Sequence, residues 1–301
     1  MRTIKKVASH IFIDGFGGMT QGLFATLIIG TMIQQIGLLI GGSTGNVIYL
    51  LGKAAAALTS AGIGVGVAVK YGESPLVTVS AAVAAMVGGY AGKITGGTFF
   101  VDGNAVLAGP GEPLGAFIAA FAGITCGHLV SGKTKVDIIV TPVITIGAGS
   151  VVGLLVGPPI SQMMTGLGSI INWATEQRPF IMGIVVSVVM GMVLTLPISS
   201  AALGIILNLS GLAAGAATIG CCCNMVGFAV ASYRENKFGG LVAQGLGTSM
   251  LQVPNIMRHP LIWLPVIFSS AILGPVSTIL ANMQNNATGS GMGSAGLVGQ
   301  I

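Results

Sequence analysis

The chain has 301 residues, 53% of them hydrophobic and only 6% charged, with a net charge of +5, 49 glycines and a mean hydropathy of +0.93. A soluble domain carries about 25% charged residues, so this composition cannot furnish a water-facing surface, and a soluble globular fold is excluded. The positive balance comes from basic residues scattered through short loops, with no basic face beside aromatics, which argues against a nucleic-acid partner.

Apolar runs of about 20 residues, abundant glycine and only 6% aromatics point to packed helices with small contact residues. Ten-residue alternation and aromatic girdles, the marks of a membrane barrel, are missing. The expected fold is therefore an all-α polytopic membrane protein. It would have about 8–10 transmembrane helices with re-entrant hairpins and an interfacial amphipathic helix.

Residues 1–10 form a short basic start. The apolar segment behind Lys5 and Lys6 is too long for a cleavable leader and lacks a small-residue cleavage site, so the first helix reads as the insertion signal. Residues 11–40 hold the first apolar segment, broken early by Asp14-Gly15 and Gly17-Gly18, and 41–46 make a turn. A second span covers about 47–69, a charged Pro-containing turn fills 70–75, and a third span runs about 76–97.

Residues 98–117, TFFVDGNAVLAGPGEPLGAF, gather Asp102, Asn104 and Glu112 in a Gly- and Pro-broken run between apolar segments. A residue before proline is pushed out of the α region, and Pro113 suits the first turn of a helix. The stretch reads as helix, unwound backbone, then a new helix beginning beside a carboxylate. Irregular backbone at membrane depth is tolerated only inside protein or along a watery cavity, and transporters hold substrates at such breaks. The alternative is a surface loop whose acids face water, with Glu112 near a helix start for dipole reasons.

A fourth segment runs about 113–130 and carries His128. The basic loop 131–137 follows, then a fifth span over about 138–156 that stops at Gly157-Pro158-Pro159. Residues 160–177 read as an amphipathic interfacial helix with Trp173 at headgroup level. A sixth span starts at Arg178-Pro179 and ends near 196–200. Residues 201–231 are too long for one tidy helix, and Asn208, Ser210 and Asn224 divide them into a re-entrant pair or a broken helix. A charged turn fills 233–240, a last span covers about 261–281, and the remaining tail is polar and small.

Lys and Arg cluster at 2–6, 70, 133–135 and 234–237, which by the positive-inside rule makes those loops and the N-terminus cytoplasmic. A faint echo links residues 20–35, TQGLFATLIIGTMIQQ, with 243–252, AQGLGTSMLQ. Cys221, Cys222 and Cys223 are consecutive in an apolar segment and Cys126 sits in another. They read as small hydrophobes, since no metal-ligand spacing such as CxxC is present. No metal, cofactor or catalytic residue is expected, because phosphate loops, nucleophile elbows and zinc motifs are all missing.

The polar residues with an apolar setting are few. Asp102, Asn104, Glu112, Asn255 and His259 are the foremost candidates for binding a small polar solute, with Pro113 setting the backbone at Glu112. His128, Asn208, Asn224 and Gln252 stand behind them. His128 reads more simply as a helix-end residue near the 131–137 loop, and Asn208 and Asn224 as amides bridging helices.

The segments GPGEPLGAF (109–117), HIFIDGFGGMTQGLFATLIIGTMIQQIG (10–37) and GTSMLQVPNIMRHPLIWLP (247–265) resemble the phosphotransferase-system IIC membrane subunits, in the branch that includes perfringolysin-regulator-like proteins. The resemblance covers essentially the whole chain, 1–301, as a single integral-membrane transport domain. It implies a permease subunit of the cytoplasmic membrane that moves a sugar or similar solute, a homodimer, and separate IIA and IIB partners that carry phosphoryl transfer. It also implies that Glu112 and Pro113 match the Glu-Pro motif of the sugar pocket, while His128 and His259 compete for its histidine. The ending GLVGQI reads as the start of a further element, as members of this kind continue beyond it. The alternatives on the same fold are a membrane sensor or regulator without transport, a proton-coupled carrier, or a channel.

Overall fold

The computed structural model describes residues 14–107, 109, 111–196 and 200–300. The basic start at 1–10 and the span end at 197–199 lie outside the described residues. The chain divides into two compact units, Met1–Met163 and Met164–Ile301.

In the first unit, α1 (Phe16–Ile40) is one apolar segment with a π-helical stretch at Phe24–Ile28. The expected second span is two helices, α2 (Gly42–Ala57) and α3 (Thr59–Lys70), bent by 53° at Leu58. α4 (Pro75–Gly89) starts at Ser74, whose side chain accepts a hydrogen bond from Val77 N. It ends at Tyr90, and the short α5 (Ala91–Thr95) follows, so the third span is shorter than 76–97. A two-stranded hairpin comes next, β1 (Phe100–Val101) against β2 (Asn104–Ala105), and then α6 (Pro113–Val130), bounded as the sequence indicates.

Small residues let these helices touch backbone to backbone, as membrane helices do without a hydrophobic drive between them. On α1, a Cβ on Gly18 would sit 2.7 Å from Val67 Cα of α3.

α7 (Asp137–Gln177) corrects the reading of 157–177. It is one helix of 41 residues with Pro142, Pro158 and Pro159 inside it, so residues 160–177 are its C-terminal part rather than a separate element. Each proline removes one hydrogen bond, whereas ending the helix would orphan several backbone groups in an apolar setting. The division between the two units falls within α7.

The second unit holds α8 (Pro179–Thr195), α9 (Ser200–Ile206) and α10 (Gly211–Ala231). The break expected in 201–231 is real and lies between α9 and α10. Asn208 takes a left-handed φ of 48° there, but Asn224 lies inside unbroken α10. Residues 233–240 are helical, α11 (Tyr233–Val242), with a kink at Lys237. A π-helical stretch (Ala243–Gly247), a 3-10 turn (Ser249–Gln252), α12 (Val253–Arg258) and a second 3-10 turn (Pro260–Trp263) lead to α13 (Leu264–Pro275) and a further π-helical stretch, Val276–Leu280. The Gln-Gly-Leu echo thus meets a π-helical stretch in both units.

The tail is not a loose polar end. It forms α14 (Ala287–Ser290), and residues 289–295 are buried. Asn285 Nδ2 lies 2.8 Å from Thr218 Oγ1 of α10 and 2.9 Å from the carbonyl of Gly299, donating to both. Ser200 Oγ donates to the carbonyl of Gly291 at 2.6 Å. Small side chains let this segment lie directly on α10 at Cys221, where a Cβ on Gly293 would meet Cys221 Cβ at 2.7 Å.

Among the described residues five helices are long and apolar enough to cross a membrane, or six with the bent pair as one span. The lower end of the expected range is reached only when the 15-residue α4 and 17-residue α8 are added. Large apolar side chains stand on the outside, among them Leu39, Ile138, Leu155, Phe268 and Leu280. On a soluble protein such patches would be a liability; here they are the faces that lipid covers. The fold is an all-α polytopic membrane protein.

Candidate functional site

In the first unit the local geometry around Glu112 follows from its sequence. Gly109 and Gly111 take φ of 79° and 76°, turns that side chains would resist. The buried Tyr90 anchors the loop from below: its hydroxyl donates to the carbonyl of Gly109 and lies 3.2 Å from that of Ala57. Glu112 N donates to the carbonyl of Gly89 at 2.6 Å. Glu112 itself is extended, with φ −89° and ψ 113°, and caps α6. Its Oε1 accepts from Leu114 N at 3.0 Å and its Oε2 from Gly115 N.

The unwound stretch and the new helix beside a carboxylate are therefore present. The half-buried carboxylate turns back onto the first turn of its own helix. Pro113 is buried at the first helical position. Asp102 and Asn104 sit apart from it, exposed on the hairpin, with Asp102 at a φ of 50° in the turn. Asn104 Nδ2 donates to the Asp102 carbonyl at 3.4 Å, and among the described residues no hydrogen bond joins either to Glu112. His128 is 70% exposed and pairs with Glu73, Nδ1 to Oε1 at 3.0 Å, as a helix-end residue would.

The second unit gathers polar groups around a cavity of about 410 Å³. It is lined by Phe228, Ala231 and Ser232 of the α10 end, Glu235 and Asn236 of α11, and Gln252, Asn255, His259 and Ile262. Three residues singled out from sequence meet here: Gln252, Asn255 and His259. The spacing explains it, because α12 is a single short helix that carries Asn255 three residues beyond Gln252. His259 follows at its C-terminal end, its N–H on the Asn255 carbonyl at 2.8 Å.

One wall is polar. Asn255 Nδ2 donates to Gln252 Oε1 at 2.9 Å, Gln252 Nε2 to Gln244 Oε1 at 2.9 Å, and Gln244 Nε2 to Ser232 Oγ at 2.7 Å. The lining also has an apolar part: Phe228 belongs to a cluster with Ile256 and Val266, against which Trp263 packs. Among the lining residues Glu235 is the one carboxylate and His259 the one imidazole.

Asn224 is fully buried and faces a structural node instead. Its Oδ1 accepts from Trp263 Nε1 at 3.1 Å and Thr195 Oγ1 at 3.3 Å, and its Nδ2 donates to the Gly220 carbonyl and Ser270 Oγ. Asn208 closes the break before α10, where its carbonyl accepts from Asn172 Nδ2 at 2.9 Å and Asn172 Oδ1 accepts from Ser210 N at 3.2 Å. Among the described residues no three of His, Cys, Asp and Glu come together as metal ligands would.

The sequence matches the family model for the phosphotransferase system, EIIC, over residues 13–301. The chain belongs to this family. A comparison with curated proteins gave no match. As an EIIC chain it is a membrane permease subunit of a phosphotransferase system, a system that also has IIA and IIB components.

For an EIIC chain the residues that sequence reasoning missed are informative. Glu235 and Asn236 fell in the stretch 233–240, read as a charged turn, Ser232 just before it, and Phe228 in the apolar segment 201–231. Gln244 lies in the Gln-Gly-Leu echo, a match too short to carry weight, and nothing in one dimension marks an amide as buried.

Proposed function

We propose that this EIIC subunit binds a sugar or related polyol in the cavity of the second unit and carries it across the cytoplasmic membrane. Asn255 and His259 would contact the solute, with Gln252 behind Asn255 in the wall. The observation that carries the reading is the composition of that cavity: amides, one imidazole and one carboxylate together with the apolar Phe228 and Ile262. Its volume falls in the range of roughly 300–1,000 Å³ typical of small-molecule sites. Polyols present alternating hydroxyls and C–H faces, which such a wall can hydrogen-bond and cover. Glu112 and Pro113 are the second element of the proposal, held at a clamped chain break as the family resemblance implies. Asp102 and Asn104 stay in the proposal as polar groups of the exposed hairpin, with no hydrogen bond to Glu112 among the described residues. The N-terminus would be cytoplasmic, the working form a homodimer, and the phosphoryl donor a IIB partner.

The test is a thermal-shift screen of the purified full chain against hexoses, hexitols and small carboxylates, because a bound ligand raises apparent stability by mass action. The expected result is a concentration-dependent rise for a polyol that is lost in Asn255→Ala and His259→Ala. A shift that persists in both variants would move the solute elsewhere. Proteoliposomes then separate permease from sensor: uptake supports the former, and binding without flux the latter.

A further inference from the structure

The amides on the cavity wall form a chain with a direction. Gln244 and Gln252 are only 3% and 6% exposed, so their amide groups depend on protein partners. Each uses a nitrogen on one neighbour and its oxygen on the other: Asn255 to Gln252, Gln252 to Gln244, Gln244 to Ser232. Turning over Gln252 would set oxygen against oxygen at Gln244 and N–H against N–H at Asn255, and turning over Gln244 would set N–H against N–H at Gln252. The orientation is therefore collective, and the Ser232 hydroxyl, able to donate or accept, ends the chain. Asn255 is the exposed member. With Nδ2 committed to Gln252, its Oδ1 has no hydrogen-bond partner among the described residues.

We propose that Gln244 and Gln252 are positioning residues that hold the Asn255 amide with its carbonyl oxygen offered to the cavity, making this wall select hydrogen-bond donors such as hydroxyls. Gln252 touches the cavity; Gln244 does not line it and acts through Gln252. The selection rests on the cavity being the solute site, whereas the orienting chain is a property of the protein alone and is tested without any solute.

The experiment follows solvent exchange of the Asn255 Nδ2 protons by NMR on full-length chain labelled with ¹⁵N in asparagine side chains, Asn255→Asp identifying the signal. In Gln244→Met the direct partner of Asn255 is untouched, yet Gln252 loses its acceptor and is free to turn. Exchange at Asn255 should accelerate about five- to tenfold, the size expected when one side-chain hydrogen bond is lost. Gln244→Glu restores an acceptor for the Gln252 nitrogen, with Ser232 turning to donate, and should return exchange to within about twofold of the parent. Trp263 emission, read in a Trp173→Phe background because the chain has two tryptophans, senses the packing beneath the cavity and checks that the variants are folded. Unchanged exchange in folded Gln244→Met, or no recovery in folded Gln244→Glu, would overturn the proposal. Should Gln244→Met not fold, Gln244→Glu decides alone, parental exchange supporting the chain and accelerated exchange overturning it. A failed solute screen would leave this result standing, so the two readings fail separately.

Discussion

The Glu112 carboxylate and Gly115 are fitted to one another: Oε2 accepts from Gly115 N and lies 2.8 Å from where a Cβ on that glycine would stand. The carbonyl of Gly88 on α4 would be 2.7 Å from the same Cβ. Gly115→Ala must displace either the cap or α4. The expected loss is about 1–3 kcal/mol, typical of overpacking at a closed contact, read as a lower unfolding temperature in detergent. Gly92→Ala, with nothing within 4 Å of its Cβ, should leave that temperature nearly unchanged.

Glu112→Gln separates the capping role from a transport role. A glutamine oxygen can still accept from one of the two N–H groups, so α6 should keep its start at a cost of about 0.5–2 kcal/mol or less. If the carboxylate also receives the solute, uptake in proteoliposomes should be abolished while the unfolding temperature stays close to the parent's. Normal uptake by the folded variant would confine Glu112 to the cap.

His128 gives the opposite contrast. It is 70% exposed and its partner Glu73 is not among the residues around the cavity of the second unit. His128→Ala is expected to cost about 1–3 kcal/mol, because the Glu73 side chain is only 9% exposed and loses its partner. Solute binding in the thermal-shift assay should be retained. His259→Ala should do the reverse, keeping the fold and losing the ligand response.

Much of this architecture was legible because bilayer chemistry is strict. Apolar length, Gly-Pro breaks and Pro113 at a helix start place α6 and the break before it. The Asn208 turn before α10 was likewise foreshadowed by polar residues in an apolar run. What stayed hidden is three-dimensional. Pro158 and Pro159 look like a stop, but the helix continues because its neighbours in sequence have no better place for their hydrogen bonds. Residues 282–300 read as a polar, small tail, yet the glycines and serines of 289–295 are what allow burial against α10. For the site, His259 and Asn255 could be nominated by type, whereas Gln244 acquires its role only through burial beside Gln252.

The node around Asn224 predicts a coupling that no single contact reveals. Its Oδ1 is the acceptor for the Trp263 indole N–H at 3.1 Å, and Trp263 packs against Phe228, which lines the cavity. Asn224→Leu would keep roughly the volume but strand that half-buried N–H, with an expected cost of about 1–3 kcal/mol. Trp263→Phe removes the donor instead, leaving Asn224 Oδ1 with Thr195 Oγ1. Replacing both partners together should cost less than the two single changes summed, by roughly 0.5–1.5 kcal/mol, because neither group is then left unpaired. Chemical or thermal unfolding of the four proteins in the same detergent measures this interaction. Strict additivity would mean that the indole finds another acceptor when Asn224 is gone, and that the node does not stiffen the wall on which Phe228 sits.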